Sequence, residues 1–321
     1  MRILIAGLGQ LGKRHLQSVA SLETLEEVYL IEPYEKNLVE AQEILNQSKA
    51  APGVVVRKGA SCSDIGPAEI DVAIIATNSL VRRHLVEDLL NGFSVTFLIL
   101  EKFLFPEPED YDAIGKLLVK KNVKAWVNCP RRLYPVYQNL KQQNGLLMSL
   151  TVHGTEWGLG CNAIHMFDLC AFIRGQADFA VYGNLLDEEI LQSKRSGYIE
   201  FTGTLYGHSI DGSTLFKLVS GRQQMPFSIC LQYADKVYLI NETLKQVTSI
   251  NVSDQKTEIQ SFEVPYQSQL TANVVKDIMN TGSCGLPMYD ESAKLHMTLL
   301  RVFLDHLNKK TDIPVKQCPI T

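Results

Sequence analysis

The chain opens MRILIAGLGQLG, a short apolar run that ends in three glycines spaced Gly7-x-Gly9-x-x-Gly12. A second apolar run, Val28 to Ile31, ends in the acid Glu32, about twenty residues past the last glycine. Each part of this pattern answers a geometric need. Gly7 permits a tight strand-to-helix turn, Gly9 lets a ligand approach the backbone, and Gly12 lets the helix lie close against the strand. Amides freed along Leu8, Gly9, Gln10 and Leu11 at the helix start then face an anion such as a pyrophosphate. The spacing predicts a dinucleotide-binding unit at the N-terminus. Glu32 suits hydrogen bonds from ribose hydroxyls and repels a 2′-phosphate, and Pro33 to Glu35 offer no arginine to hold one. NAD is therefore expected ahead of NADP.

The first 125 or so residues continue the alternation. Strands are predicted at 2–6, 28–32, 54–58, 71–77, 95–101 and 123–128, with helices at 11–22, 35–47, 81–91 and 110–121. Continuous apolar runs such as Val72 to Ala76 suit strands covered on both faces, hence a doubly wound parallel sheet. Beyond residue 130 the texture changes. An amphipathic stretch at 134–143, a strand at 146–153 and a helix at 161–174 precede strand-like runs at 179–184, 198–206, 214–220, 227–232, 236–240 and 258–262. Helices at 269–280 and 289–308 end the order. The expected fold is α/β: a Rossmann domain at 1–128, then an α+β domain at 129–321 with a mainly antiparallel sheet. The last helix is free to pack back on the first domain.

Composition narrows the function classes. With 321 residues, 45% apolar and 21% charged, the chain is ordinary for a globular protein. A net charge of −4 gives no basic face for nucleic acid or a membrane surface. Of the basic doublets (Lys13-Arg14, Arg82-Arg83, Lys120-Lys121, Arg131-Arg132), most are expected on solvated helix surface. Seven cysteines, odd in number and without a C-x-x-C pair, suit reduced thiols and a cytoplasmic location.

Two constellations carry chemistry. Glu101-Lys102 follows the apolar run Phe97 to Leu100, at the carboxyl end of a buried strand, where the ligand crevice of such sheets opens. An ammonium there can hold a substrate oxygen and stabilise charge developing on it; a capping pair is the plainer alternative. In the segment Trp157 to Asp168, helical spacing puts Cys161, His165 and Asp168 on one face. Histidine suits proton transfer at neutral pH; a histidine satisfied by Asp168 is the plainer reading. No fourth ligand accompanies these three, so no metal is expected. Arg132 and Tyr134 begin the second domain and could touch substrate, and Arg131-Arg132 could bind an anion or form a structural salt bridge. His15 and His84 are expected mainly to pack, and His296 and His306 to lie at the surface or an interface.

Five markers in order resemble the glucose–fructose oxidoreductase/inositol dehydrogenase (Gfo/Idh/MocA) family: Gly7 to His15, Ala76-Thr77-Asn78 with His84, Glu101-Lys102-Phe103, Arg132-Leu-Tyr-Pro135, and His165-Met-Phe-Asp168. The resemblance covers essentially the whole chain. It implies that Lys102 contacts substrate and cofactor, that His165 is the acid/base, and that Ala76, Thr77 and Asn78 lie near the nicotinamide ribose. Phe103 stands where the family has proline. Cys161 stands where many members carry an aspartate, which puts the usual Lys/Asp/His triad in question, with Asn162 or Asp168 as substitutes.

The resulting expectation is a nicotinamide-dependent oxidoreductase acting on a secondary alcohol or ketone of a sugar derivative, such as a surface-glycan precursor. The rivals are a non-catalytic NAD-binding regulatory or scaffolding protein and a redox-neutral enzyme that recycles bound NAD. A homodimer or homotetramer through the C-terminal sheet is expected, since a bare apolar sheet face is unstable in water.

Overall fold

In the computed structural model, which describes residues 1–48, 53–143, 145–309, 311 and 313–321, strand and helix first alternate. The order is β1 (Arg2–Ala6), α1 (Gln10–Val19), β2 (Glu27–Ile31), α2 (Glu35–Gln47), β3 (Val55–Gly59), α3 (Cys62–Ile65), β4 (Glu69–Ile75), α4 (Ser79–Gly92), β5 (Ser94–Leu100), α5 (Pro108–Lys121) and β6 (Lys124–Val127). A 3-10 turn (Pro130–Leu133), α6 (Pro135–Lys141), β7 (Ser149–Thr155) and α7 (Leu159–Arg174) follow. Next come β8 (Phe179–Leu186), β9 (Leu191–Gln192), β10 (Ile199–Glu200), β11 (Gly203–Ser209), β12 (Leu215–Gly221), β13 (Ser228–Gln232), β14 (Lys236–Asn241), β15 (Gln246–Asn251) and β16 (Thr257–Ser261). The last helices are α8 (Gln267–Thr281) and α9 (Tyr289–Asn308). These elements form two compact units. One comprises Met1–Phe105, Glu109–Pro130 and Pro265–Ser292, the other Pro106–Pro108, Arg131–Val264 and Ala293–Thr321.

The first unit is built on a parallel sheet of order β3-β2-β1-β4-β5-β6. Its central runs, Ile3 to Ala6 and Val72 to Ile75, are wholly buried, as strands covered on both faces must be. Strand order reverses between β1 and β4, which opens a crevice at their carboxyl ends. From the far end of the sequence, α8 packs along α1, and the Ala272 amide donates to Ser18 Oγ at 2.8 Å.

The second unit holds an eight-stranded sheet of order β16-β15-β14-β13-β7-β12-β11-β8 and a small β9–β10 ribbon. It is antiparallel except where β12 pairs parallel with β7. Leu150, Val152, Phe216, Leu218, Ile229 and Leu231 form its buried face. α7 lies against it, with Phe167 stacked 4.9 Å from Phe216. On the other face the register lines up Tyr182, Tyr206, Lys217, Thr151, Cys230, Leu239, Thr248 and Ile259 in one row. Of these, Tyr182, Lys217, Leu239 and Ile259 are exposed.

Several local expectations need correction. The run at 198–206 is not one strand: the chain leaves β10 after Glu200, and β11 starts at Gly203, whose φ of +97° places it where other residues strain. β15 completes the sheet from Gln-Val-Thr-Ser-Ile-Asn, too polar to stand out by apolar alternation. His296 and His306 are buried, not at the surface, and His84 is exposed rather than packed. Arg82 and Arg132 are buried too, because each guanidinium finds acceptors inside the fold.

Candidate functional site

The glycine turn sits at the carboxyl end of β1. Gly7 has φ +87°, and a Cβ on it would lie 2.9 Å from Thr77 Cγ2. A Cβ on Gly12 would lie 1.9 Å from the Gly7 carbonyl oxygen, so α1 seats on β1 only without one. Those two glycines are explained by the protein's own packing. Gly9 is not: its φ is an ordinary −63°, and no atom lies within 4 Å of a Cβ built there. Its missing side chain clears space in front of the α1 amides, as a bound pyrophosphate requires. Gly9, Gln10 and Leu11 are exposed, while Leu8 is buried.

Glu32, buried at the end of β2, accepts from the Leu8 amide at 2.6 Å and the Tyr34 amide at 3.1 Å. The carboxylate is thereby held beside the turn, at the position suited to ribose hydroxyls. Thr77 abuts Gly7, and Ala76 and Asn78 flank it, half-buried, at the end of β4. Thus the turn, Glu32 and the 76–78 loop meet at one edge of the sheet. Asn78 also stands at the N-cap of α4 without a side-chain capping bond.

Lys102 follows β5 at the same edge and is half-buried. Its neighbour Glu101 is buried and accepts from His15 Nε2 at 2.9 Å and from Asn128 Nδ2 at 2.5 Å. Burial pushes the Glu101 carboxyl up, but hydrogen bonds from His15 and Asn128 and the charges of His15 and Lys102 outweigh it. The group is held below the usual carboxylate range. On the far side, Arg82 of α4 donates to the carbonyls of Phe103, Leu104 (2.8 Å) and Thr77. The Lys102–Phe103 peptide is cis. His15 and Arg82 stood in the sequence as a packing residue and half of a solvated doublet; no local pattern shows that both reach the carboxyl edge.

In the second unit α7 carries the other candidates. Its N-terminal amides at Gly160 and Cys161 donate to the Glu200 carboxylate of β10 at 3.1 and 2.8 Å. Glu200 is a further residue that the sequence pattern missed, since only the fold brings β10 to this helix end. Cys161 and His165 are half-buried, and Asn162 Nδ2 donates to the Trp157 carbonyl at 2.8 Å. Asp168 is fully buried and takes a two-pronged bond from Arg132, at 2.8 Å from Nε and 2.7 Å from Nη2. Of the alternatives open for the doublet, Arg131 and Arg132 form structural salt bridges: Arg131 pairs with Glu242, which also accepts from Tyr137 Oη at 2.7 Å. Tyr134 is buried and stacks on Tyr137, and burial raises its phenol. A cavity of about 340 Å³ is lined by Arg131, Trp157, Asn162, Met166, Phe227, Glu242 and Thr243. At its wall the Trp157 and Phe227 rings meet edge to face, with centroids 5.6 Å apart.

Among the described residues no group of three or more His, Cys, Asp or Glu side chains is placed to hold a metal ion. None of the seven cysteines forms a disulfide, and no helix there is long and apolar enough to cross a membrane.

Solved structures share this fold over nearly the full chain. UDP-N-acetylglucosamine 3-dehydrogenase GnnA from Acidithiobacillus ferrooxidans is 16% identical, with 94% of this chain and 96% of that chain covered and a TM-score of 0.72. An oxidoreductase from Agrobacterium radiobacter in complex with NAD+, L-tartaric acid and magnesium is 14% identical, with 97% of each covered and a TM-score of 0.71. A super-repressor mutant of Gal80p from Saccharomyces cerevisiae is 13% identical, with 96% of each covered and a TM-score of 0.71. No protein-family model and no curated protein sequence matches the chain.

Proposed function

We propose that this chain, which has the fold of the Gfo/Idh/MocA-type oxidoreductases, is a nicotinamide-dependent oxidoreductase of a sugar derivative. Its substrate carries a secondary alcohol or ketone, on an amino sugar or a nucleotide-linked sugar. The observation that carries this reading is Lys102, half-buried at the sheet edge that also presents the glycine turn and Glu32. When bound, a nicotinamide dinucleotide supplies the hydride acceptor or donor. The chain supplies the rest: the α1 amides hold the pyrophosphate, Glu32 the ribose, Lys102 the reacting oxygen, and His165 moves the hydroxyl proton. The GnnA neighbour, described as a UDP-N-acetylglucosamine dehydrogenase, supports the substrate class. Thiols without disulfides suit work in the cytoplasm.

The test is a panel of nucleotide-linked and amino sugars assayed by NADH absorbance. With the substrate found, Lys102→Met is expected to lower turnover by about 10²-fold or more while NADH binding persists. Turnover equal to wild type would falsify the role of Lys102. NAD is expected to bind at least about tenfold tighter than NADP, and Glu32→Ala to narrow that gap, in calorimetric titrations.

The row of exposed Tyr182, Leu239 and Ile259 on the outer sheet face supports a homodimer or tetramer formed there. Sedimentation should show an oligomer at micromolar concentration and a smaller species for Leu239→Lys/Ile259→Lys; a wild-type monomer sinks the idea.

One set of observations favours a second reading, a non-catalytic NAD-binding regulator. Cys161 stands where an aspartate is expected, Asp168 is engaged by Arg132, and Gal80p shares the fold. Bound NAD that no sugar in the panel reduces would support it.

A further inference from the structure

Both chain neighbours of Lys102 are gripped by buried polar side chains from other elements. Before it, Glu101 is held by His15 from α1 and by Asn128 just after β6. His15 is itself fixed, with Nδ1 2.8 Å from Thr271 Oγ1 of α8. After it, the Phe103 and Leu104 carbonyls are held by Arg82 from α4, which also holds the Thr77 carbonyl. His15 is 1% exposed, Arg82 0% and Glu101 4%. Burying three such groups costs free energy unless each is satisfied, and a strand end that merely turned would need none of them. Here the polar groups bracket a single half-buried ammonium, as a supporting shell does for a group that must be placed within a fraction of an ångström.

We propose that His15 and Arg82 are positioning residues for Lys102, the first acting through the Glu101 carboxylate and the second through the Phe103 and Leu104 carbonyls. Neither touches the reacting atoms. His15 lies on the helix whose start holds the pyrophosphate, and Arg82 ties the Lys102 loop to Thr77 beside Gly7. The two grips therefore set Lys102 relative to the cofactor-binding turn. This inference rests on the reading that Lys102 meets the cofactor, and its test needs no substrate.

The probe is NADH alone, with acetylation of Lys102 by an N-hydroxysuccinimide ester followed by mass spectrometry. In the wild type, NADH at about 100 times its Kd is expected to slow acetylation at least about fivefold. In His15→Ala and Arg82→Ala the glycine turn is intact, so the NADH Kd should stay within about threefold of wild type. Protection of Lys102 should nevertheless fall below about twofold. His15→Gln keeps an N–H donor for Glu101 and should restore protection, which a general loss of stability would not allow. Asn128→Ala loosens the same carboxylate and replaces His15→Ala if that variant does not fold; it too should lose protection. Full protection in the variants that lose these grips overturns this inference alone. No protection in the wild type removes Lys102 from the cofactor site, and both the proposed role and this inference fall.

Discussion

Asp168→Ala is expected to destabilise the second unit by about 3–5 kcal/mol, because it removes the carboxylate that takes both prongs of a buried guanidinium. Asp168 is wholly buried, Arg132 is 6% exposed, and both carboxylate oxygens accept from the Arg132 fork. The ring of Phe172, 5.3 Å from the guanidinium carbon, offers the cation partial compensation. Urea unfolding followed by circular dichroism measures the loss. Removing both charges together, as in Arg132→Met/Asp168→Leu, should recover much of it, since the desolvation cost of the pair then disappears as well. A single variant with a wild-type midpoint would show that the pair contributes nothing. The pair anchors α7 one turn past His165.

Gly12→Ala and Gly9→Ala should part company. At Gly12 the added Cβ would fall 1.9 Å from the Gly7 carbonyl oxygen, a backbone atom that cannot swing aside. α1 must lift from β1, and the amides at its start move with it. NADH affinity is expected to fall at least about 10²-fold, the scale of an ångström's misplacement, together with a lower melting temperature. At Gly9 nothing stands within 4 Å of the new methyl group. Stability should therefore match wild type, while the methyl group occupies the space reserved for phosphate and weakens NADH binding by about tenfold or more. Calorimetric titration and thermal melts read both quantities. If Gly9→Ala binds NADH as wild type does, the turn is not a pyrophosphate site.

Much of this was legible in the chain because it depends on neighbours in sequence. Apolar runs covered on both faces and a glycine turn of fixed spacing describe local geometry, so strand–turn–helix order and the parallel sheet follow from them. Tyr289–Asn308 was likewise readable as a helix, from its own periodicity. Hydrogen-bond partners far apart in sequence leave no such trace. His15 meets Glu101 and Thr271, Arg82 meets Phe103, Glu200 caps α7, and Arg132 meets Asp168 only once distant elements pack.

Local periodicity and glycine stereochemistry thus specify the architecture and the place where a dinucleotide can lie, because backbone sterics act over a few residues. Which ionisable groups are buried, and whom they satisfy there, is a property of packing. The cost of an unpaired charge in a low-dielectric interior selects those partners, and that selection is made across the whole fold.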